Sequence, residues 1–318
     1  MSTLCERLST DIAGQLAFGQ GLNTQVEDTN RGFPWAMVSM NALVSIFTFA
    51  KSIQSIVQKR IALLKDSKHD LYSIAGDVGP NGEGLGRSGT TLSAALSAIF
   101  FYLSRNPTAY SRLATEIRTT FSSGQDIQSG LQLSKCRYLR ASIDETLRMA
   151  PPFLGTFWRE PCSDYTGTFV VDEHVMPPGI MVGVNPYCVM HNEEYFPEAF
   201  VFRPERWLGP EKGDCGASPA QKPLSTMRSA FAPFALGETG CLGKAMAYHE
   251  MSLVIAKTLW YFNFEKAPGE AGKFGEGRPG RTDGRHRVGE YQLYDLVVAD
   301  HEGPNLVFTP RGSFGVNC

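Results

Sequence analysis

The chain has 318 residues, 42% of them hydrophobic and 19% charged, with a formal net charge of −2. That is enough apolar material for a large core, and it excludes a disordered chain. The near-neutral balance gives no pull toward nucleic acid or an anionic membrane surface.

Residues 1–24 carry Leu8, Ile12, Leu16 and Phe18 at helical spacing, which predicts an amphipathic helix ended by Gly19 and Gly21. Residues 35–65 predict one or two more helices, with Val57, Ile61 and Leu64 on one face. The most apolar run, 36–50, is shorter than the ~20 residues of a bilayer span and contains Ser, Asn and Thr, so no transmembrane segment is expected. Cys5, Glu6, Arg7 and Asp11 interrupt any secretory leader. Residues 68–86 predict a loop rich in Gly, Asp and Pro. Thr90 to Arg105 predicts a helix apolar most of the way round, hence buried, and stopped by Asn106-Pro107. At its start, Thr90 suits an N-cap.

Ala109–Thr120 and Leu131–Met149 predict two further helices. In the second, Glu145 and Arg148 stand three apart on one face and can pair. Pro151-Pro152 and a strand over Phe153–Trp158 follow, with Arg159 at the strand's edge. Phe169–Gly179 predicts a hairpin closed by a Pro-Pro-Gly turn, and Met181–Val189 one more strand. His191, beside Asn192 and Glu193, is expected in a loop or cap. Arg206 lies in the run FRPERW, and a polar meander follows over 210–226. Residues 266–290 predict a solvated Gly/Arg-rich loop, and the runs YQLYDLVVAD and NLVFTP a closing pair of strands.

The stretch that organises the rest is Phe231 to Ala247, FAPFALGETGCLGKAMA. Gly237 and Gly240 permit backbone angles closed to other residues, and Gly243 leaves room for a flat ligand. Helical spacing from Leu242 puts Cys241 at a helix N-terminus. Partial positive charge there favours a thiolate, the form that ligates a metal. Phe234, seven residues earlier, could shield the sulfur. The seven cysteines include no CxxC pair, which points to a reducing compartment rather than a disulfide framework.

Phe234, Gly237, Thr239, Cys241 and Gly243 resemble the haem-ligand signature F-x-x-G-x-R-x-C-x-G of the cytochrome P450 family, with Thr239 in place of the arginine. The order of motifs strengthens the likeness: Gly89-Thr90-Thr91, then Glu145-x-x-Arg148, then Pro204-Glu205-Arg206, then the cysteine loop. The runs DETLRMAPP, HNEEYFP and GCLGKAMAYHEMSLV look like the secondary-metabolism branch of filamentous fungi. The resemblance implies a mainly helical fold with small sheets, in one domain spanning residues 1–318. Haem would lie between the central helix and the cysteine loop. Cys241 would be the axial iron ligand. Thr90 would hydrogen-bond dioxygen and help deliver protons, although Gly89 replaces the acid that normally precedes it. Arg159 would pair with a haem propionate. Glu145, Arg148 and Arg206 would form a buried network supporting the haem.

The implied activity is monooxygenation of a small hydrophobic molecule in secondary metabolism by a monomer. Electrons would come from NADPH through a separate reductase, with Lys135, Arg137 and Arg140 as docking candidates. Family members usually carry an endoplasmic-reticulum anchor before the segment that Met1 begins here, so the chain reads as shortened at its N-terminus. The five glycines in GPNGEGLGRSG fit an incomplete oxygen-side helix. Two alternatives stay open at this point: a non-catalytic relative, and a haem-thiolate isomerase or dehydratase.

Overall fold

The computed structural model describes residues 4–5, 7–12, 23–28, 83–162, 164–209, 223–296 and 298–312. The helices expected at 35–65, the start of the loop at 68–86 and most of the meander at 210–226 lie outside the described residues. Residues 7–12 are helical, and the Asp11 carboxylate accepts from the Thr24 N–H at 2.7 Å, which folds the following turn back onto them.

The central helix α1 spans Glu83–Arg105. It begins earlier than the glycine content suggests and takes in Gly84, Gly86 and Gly89. Each glycine costs about 1 kcal/mol against alanine inside a helix. Extending a helix that is already packed adds a hydrogen bond per residue, and here that outweighs the local preference. Thr90 therefore lies inside α1, not at its cap; its side chain lies outside the described residues. From Leu92 to Leu103 every residue of α1 is buried, as the all-round apolar pattern implies. Helix α2, Pro107–Thr120, follows at once. Asn106 Nδ2 donates to the Tyr102 carbonyl at 2.7 Å, and Pro107, which lacks an N–H, opens the new helix.

The helix expected over Leu131–Met149 is broken in two: α3, Leu131–Ser134, and α4, Arg137–Met149. The free N–H groups at the start of α4 are capped from α2. Glu116 accepts from Tyr138 at 2.9 Å and from Leu139 at 2.8 Å. Strand β1, Phe157–Arg159, pairs antiparallel with β4, Val182–Val184. Between them β2, Val170–Val171, and β3, His174–Val175, make a hairpin. Its turn is Asp172-Glu173, both at positive φ, as a two-residue hairpin turn demands. The Pro-Pro-Gly sequence is not that turn; it leads from β3 toward β4.

The strand expected through Val189 stops at Val184, where Pro186 opens the short helix α5, Pro186–Met190. Helix α6 is Leu224–Ser229, and α7, which follows the cysteine, is Lys244–Tyr261. The tail pairs differently from the expectation. The run after Tyr291 folds on itself as β6, Leu293–Leu296, and β7, Val298–His301. The last strand, β8, Leu306–Pro310, pairs with β5, Phe262–Lys266, which directly continues α7. Helix α1 packs against α2, α4, α7, β5 and β7. Phe100 of α1 meets Phe264 of β5 edge-on at 5.2 Å, and Phe264 meets Phe308 of β8 at 5.5 Å. Among the described residues no helix is long and apolar enough to cross a membrane.

Candidate functional site

The cysteine loop is a tight, glycine-assisted turn. Gly237 has φ +70°, open to glycine at little cost, and starts the 3-10 turn Gly237–Thr239. Gly240 has φ −58°, which any residue adopts; an added Cβ would instead press the Gly237 carbonyl at 3.1 Å. Ala235, which the sequence did not single out, sits at φ +57°, a costly angle for a residue with a side chain. The Cys241 N–H donates to the Phe234 carbonyl at 2.9 Å and closes the loop. The Cys241 thiol is exposed and unbridged. Gly243 is the N-cap of α7, so the helix begins three residues past the cysteine rather than on it. A Cβ on Gly243 would meet only the Cys241 sulfur, at 3.7 Å.

Two adjacent acids of α4 reach out to either side of this loop. Glu145 is fully buried and lies in one cluster with Arg148 and Arg206. Arg148 donates to both of its oxygens, Nε to Oε2 at 3.0 Å and Nη2 to Oε1 at 2.9 Å. Arg206 Nε and the Arg203 backbone N–H each donate to Oε1 at 3.0 Å, and Trp207 Nε1 donates to Oε2 at 2.9 Å. Two guanidiniums thus face one carboxylate. The surplus charge is met by carbonyls: Met190 accepts from Arg148 at 2.8 Å and Pro197 from Arg206 at 2.9 Å. Burial alone would raise the Glu145 carboxyl, but Arg148 and Arg206 outweigh it and hold the group below the ordinary carboxylate value.

The neighbouring Asp144, also buried, was not expected from the sequence. Its Oδ1 accepts from Tyr248 Oη of α7 at 2.7 Å and from Arg140 Nε at 3.0 Å. The only signals for it were an acid four residues after Arg140 and a tyrosine one turn into the helix behind the cysteine.

Arg159 of β1 reaches the loop. Its Nη2 donates to Thr239 Oγ1 at 2.7 Å. On the strand pair, Phe157 and Arg159 share a face with their partners Val184 and Val182. Phe153 stacks on Phe157 at 4.8 Å. Leu236 and Leu242 of the loop are left exposed, Leu242 completely. His191 caps α5 under the Tyr187 ring, at 3.9 Å, away from any cluster of ligands.

The cytochrome P450 family model matches residues 84–280. This chain belongs to the cytochrome P450 family. A cytochrome P450 monooxygenase of Gibberella zeae is 36% identical over 279 residues, covering 83% of this chain and 61% of that protein. Cytochrome P450 monooxygenase AKT7 of Alternaria alternata is 36% identical over 292 residues, covering 87% and 53%. Cytochrome P450 monooxygenase apf8 of Gibberella fujikuroi is 42% identical over 222 residues, covering 70% and 56%. The chain thus spans roughly half to three-fifths of the length of these relatives.

The residues present fit the family's haem. A thiol stands uncovered on a loop whose glycine leaves nothing but sulfur in front of it. Apolar side chains without a cover lie on the loop, and a guanidinium stands at its edge. That donor set would suit a flat, apolar group whose metal takes a thiolate ligand and whose rim is anionic.

Proposed function

We propose that this chain is a single haem-thiolate domain that oxygenates a small hydrophobic molecule in secondary-metabolite biosynthesis; its relatives are named as cytochrome P450 monooxygenases. The exposed Cys241 thiol, on a loop closed by its own N–H onto Phe234, carries this reading. Cys241 would be the axial ligand, and Phe234, Gly237 and Gly243 would shape its surroundings. Arg159 would hold an anionic edge of the group by a charge-assisted hydrogen bond. Haem, when bound, supplies the oxygen chemistry, with the thiolate raising its electron density. Thr90 in α1 would hold and pass a proton at its hydroxyl. Glu145, Arg148 and Arg206 keep the support under the cysteine loop rigid. NADPH, through a separate reductase, would supply electrons, and the exposed Lys135, Arg137 and Arg140 offer it a cationic surface.

The test is a reduced, CO-bound absorption spectrum of the haem-loaded chain. Wild type, Cys136→Ala and Cys188→Ala should give the red-shifted thiolate band, and Cys241→Ala should not. A band that survives Cys241→Ala refutes the assignment. NADPH consumed in step with one oxygenated product supports oxygenation; turnover without NADPH would mean isomerisation or dehydration instead.

A further inference from the structure

We propose that Tyr248 is a positioning residue for the iron-ligating cysteine, acting through Phe234 and anchored on Asp144. The inference rests on Cys241 being the ligand. The Tyr248 ring lies against that of Phe234, with centroids 5.2 Å apart, and the Phe234 carbonyl holds the Cys241 N–H at 2.9 Å. The other end of Tyr248 is tied down: its hydroxyl donates to Asp144 Oδ1 at 2.7 Å. Arg140 completes the clamp. It donates to the same oxygen at 3.0 Å and lays its guanidinium 3.6 Å from the Tyr248 ring centre. Arg228 stands 3.8 Å from the second oxygen.

Packing alone does not account for this arrangement. A phenylalanine would fill the same volume without placing a hydroxyl and a carboxylate out of water, which costs free energy unless the two are joined. The other aromatic of the loop repeats the plan. Phe231 lies against Trp207, with centroids 4.7 Å apart, and the Trp207 N–H is anchored on Glu145 at 2.9 Å. Each ring of the loop thus leans on a larger ring whose polar handle is fixed to one of two consecutive carboxylates. Freed from Asp144, the Tyr248 ring can turn, Phe234 follows, and the hydrogen bond that orients Cys241 loosens.

The test compares haem-loaded wild type, Tyr248→Phe, Asp144→Asn and Ser252→Ala. Ser252 serves as control: it donates to the Tyr248 carbonyl at 2.7 Å on the same helix and does not reach the loop. The readouts are the rate at which the thiolate–CO band decays in mild denaturant, and the iron reduction potential. Tyr248→Phe should decay about tenfold faster, as expected for one lost hydrogen bond to a charged group, and should shift the potential. Asp144→Asn, whose side-chain carbonyl still accepts, should fall between, and Ser252→Ala should match wild type. If Asp144→Asn fails to fold, Tyr248→Phe still decides, because it keeps the whole ring. Wild-type decay and potential in Tyr248→Phe overturn the proposal. Equal acceleration by Ser252→Ala also overturns it, since that would mean general loosening of α7. A thiolate band that survives Cys241→Ala removes the ligand reading itself, and the positioning role falls with it.

Discussion

Position 239 is a threonine where the haem-ligand signature has an arginine, and the side chain of Arg159 reaches it. Threonine brings only a neutral hydroxyl where the motif has a cation. Arg159 of β1 brings a guanidinium to that hydroxyl, donating to it at 2.7 Å. The guanidinium is exposed, so it can turn toward an anionic partner at little desolvation cost. Removing it should therefore weaken haem retention directly. Arg159→Gln should speed haem transfer to a scavenger apoprotein by about tenfold, the worth of one hydrogen bond to a charged group. Thr239→Ala should change the rate far less. An unchanged rate in Arg159→Gln would show that the haem edge is held elsewhere.

Helix α4 packs between the central helix and the loop around Arg206, and its two consecutive acids leave it in different directions. Removing Glu145 leaves two buried guanidiniums without their carboxylate, at a cost of about 3–5 kcal/mol, and removing Arg148 strips both of its bonds from the buried carboxylate and leaves Arg206 as the one guanidinium on it. Glu145→Ala and Arg148→Ala should each lower the melting temperature sharply and yield little holoprotein. Arg148→Lys should fare only partly better, because lysine has no fork for two carboxylate oxygens. Normal melting in both alanine variants would contradict the geometry. Much of this element was legible in the sequence. Glu145, Arg148 and Arg206 stand in motifs whose spacing and order single them out. Asp144 was not legible: it is an ordinary helical acid until Tyr248, 104 residues on, closes over it. The β segments were legible too, but the hairpin's turn and the tail's pairing were not, for a related reason. Asp172-Glu173 competes with a stronger turn signal in Pro177-Pro178-Gly179, and only strand pairing decides between them. The partner of β8 is β5, hidden at the end of a helix, so no local pattern announces it.

Across the whole molecule, buried ionisable groups outside the cysteine loop set how stability follows pH. Glu250 of α7 is buried with Oε1 unpartnered among the described residues, and burial pushes its carboxyl up to about 7. Between its ordinary value and about 7 the folded chain keeps a proton that the unfolded chain has released, so this group makes stability fall as pH rises through that window. Buried His191, pushed down to about 4, and His301 act oppositely over acidic pH: the unfolded chain binds their protons first. The net curve therefore mixes both signs, and the difference between wild type and Glu250→Gln isolates one. That difference should grow in favour of the variant from mildly acidic to neutral pH, as measured by denaturant midpoints. A flat difference would mean that Glu250 is paired in solution.

The two carboxylates of α4 also impose an order on synthesis. Glu145 needs Arg206, 61 residues later, and Asp144 needs Tyr248, 104 residues later. While the ribosome is still making the segment between, α4 can form with Arg148 beside Glu145 and Arg140 beside Asp144, but the partners that close over both acids do not yet exist. The flanks that carry them stay wet until the cysteine loop has emerged, and only then can they dry. The ground under the cysteine loop is therefore slow to become waterproof, and a ribosome that stalls before residue 248 leaves a helix with an open, charged flank for chaperones and proteases to find.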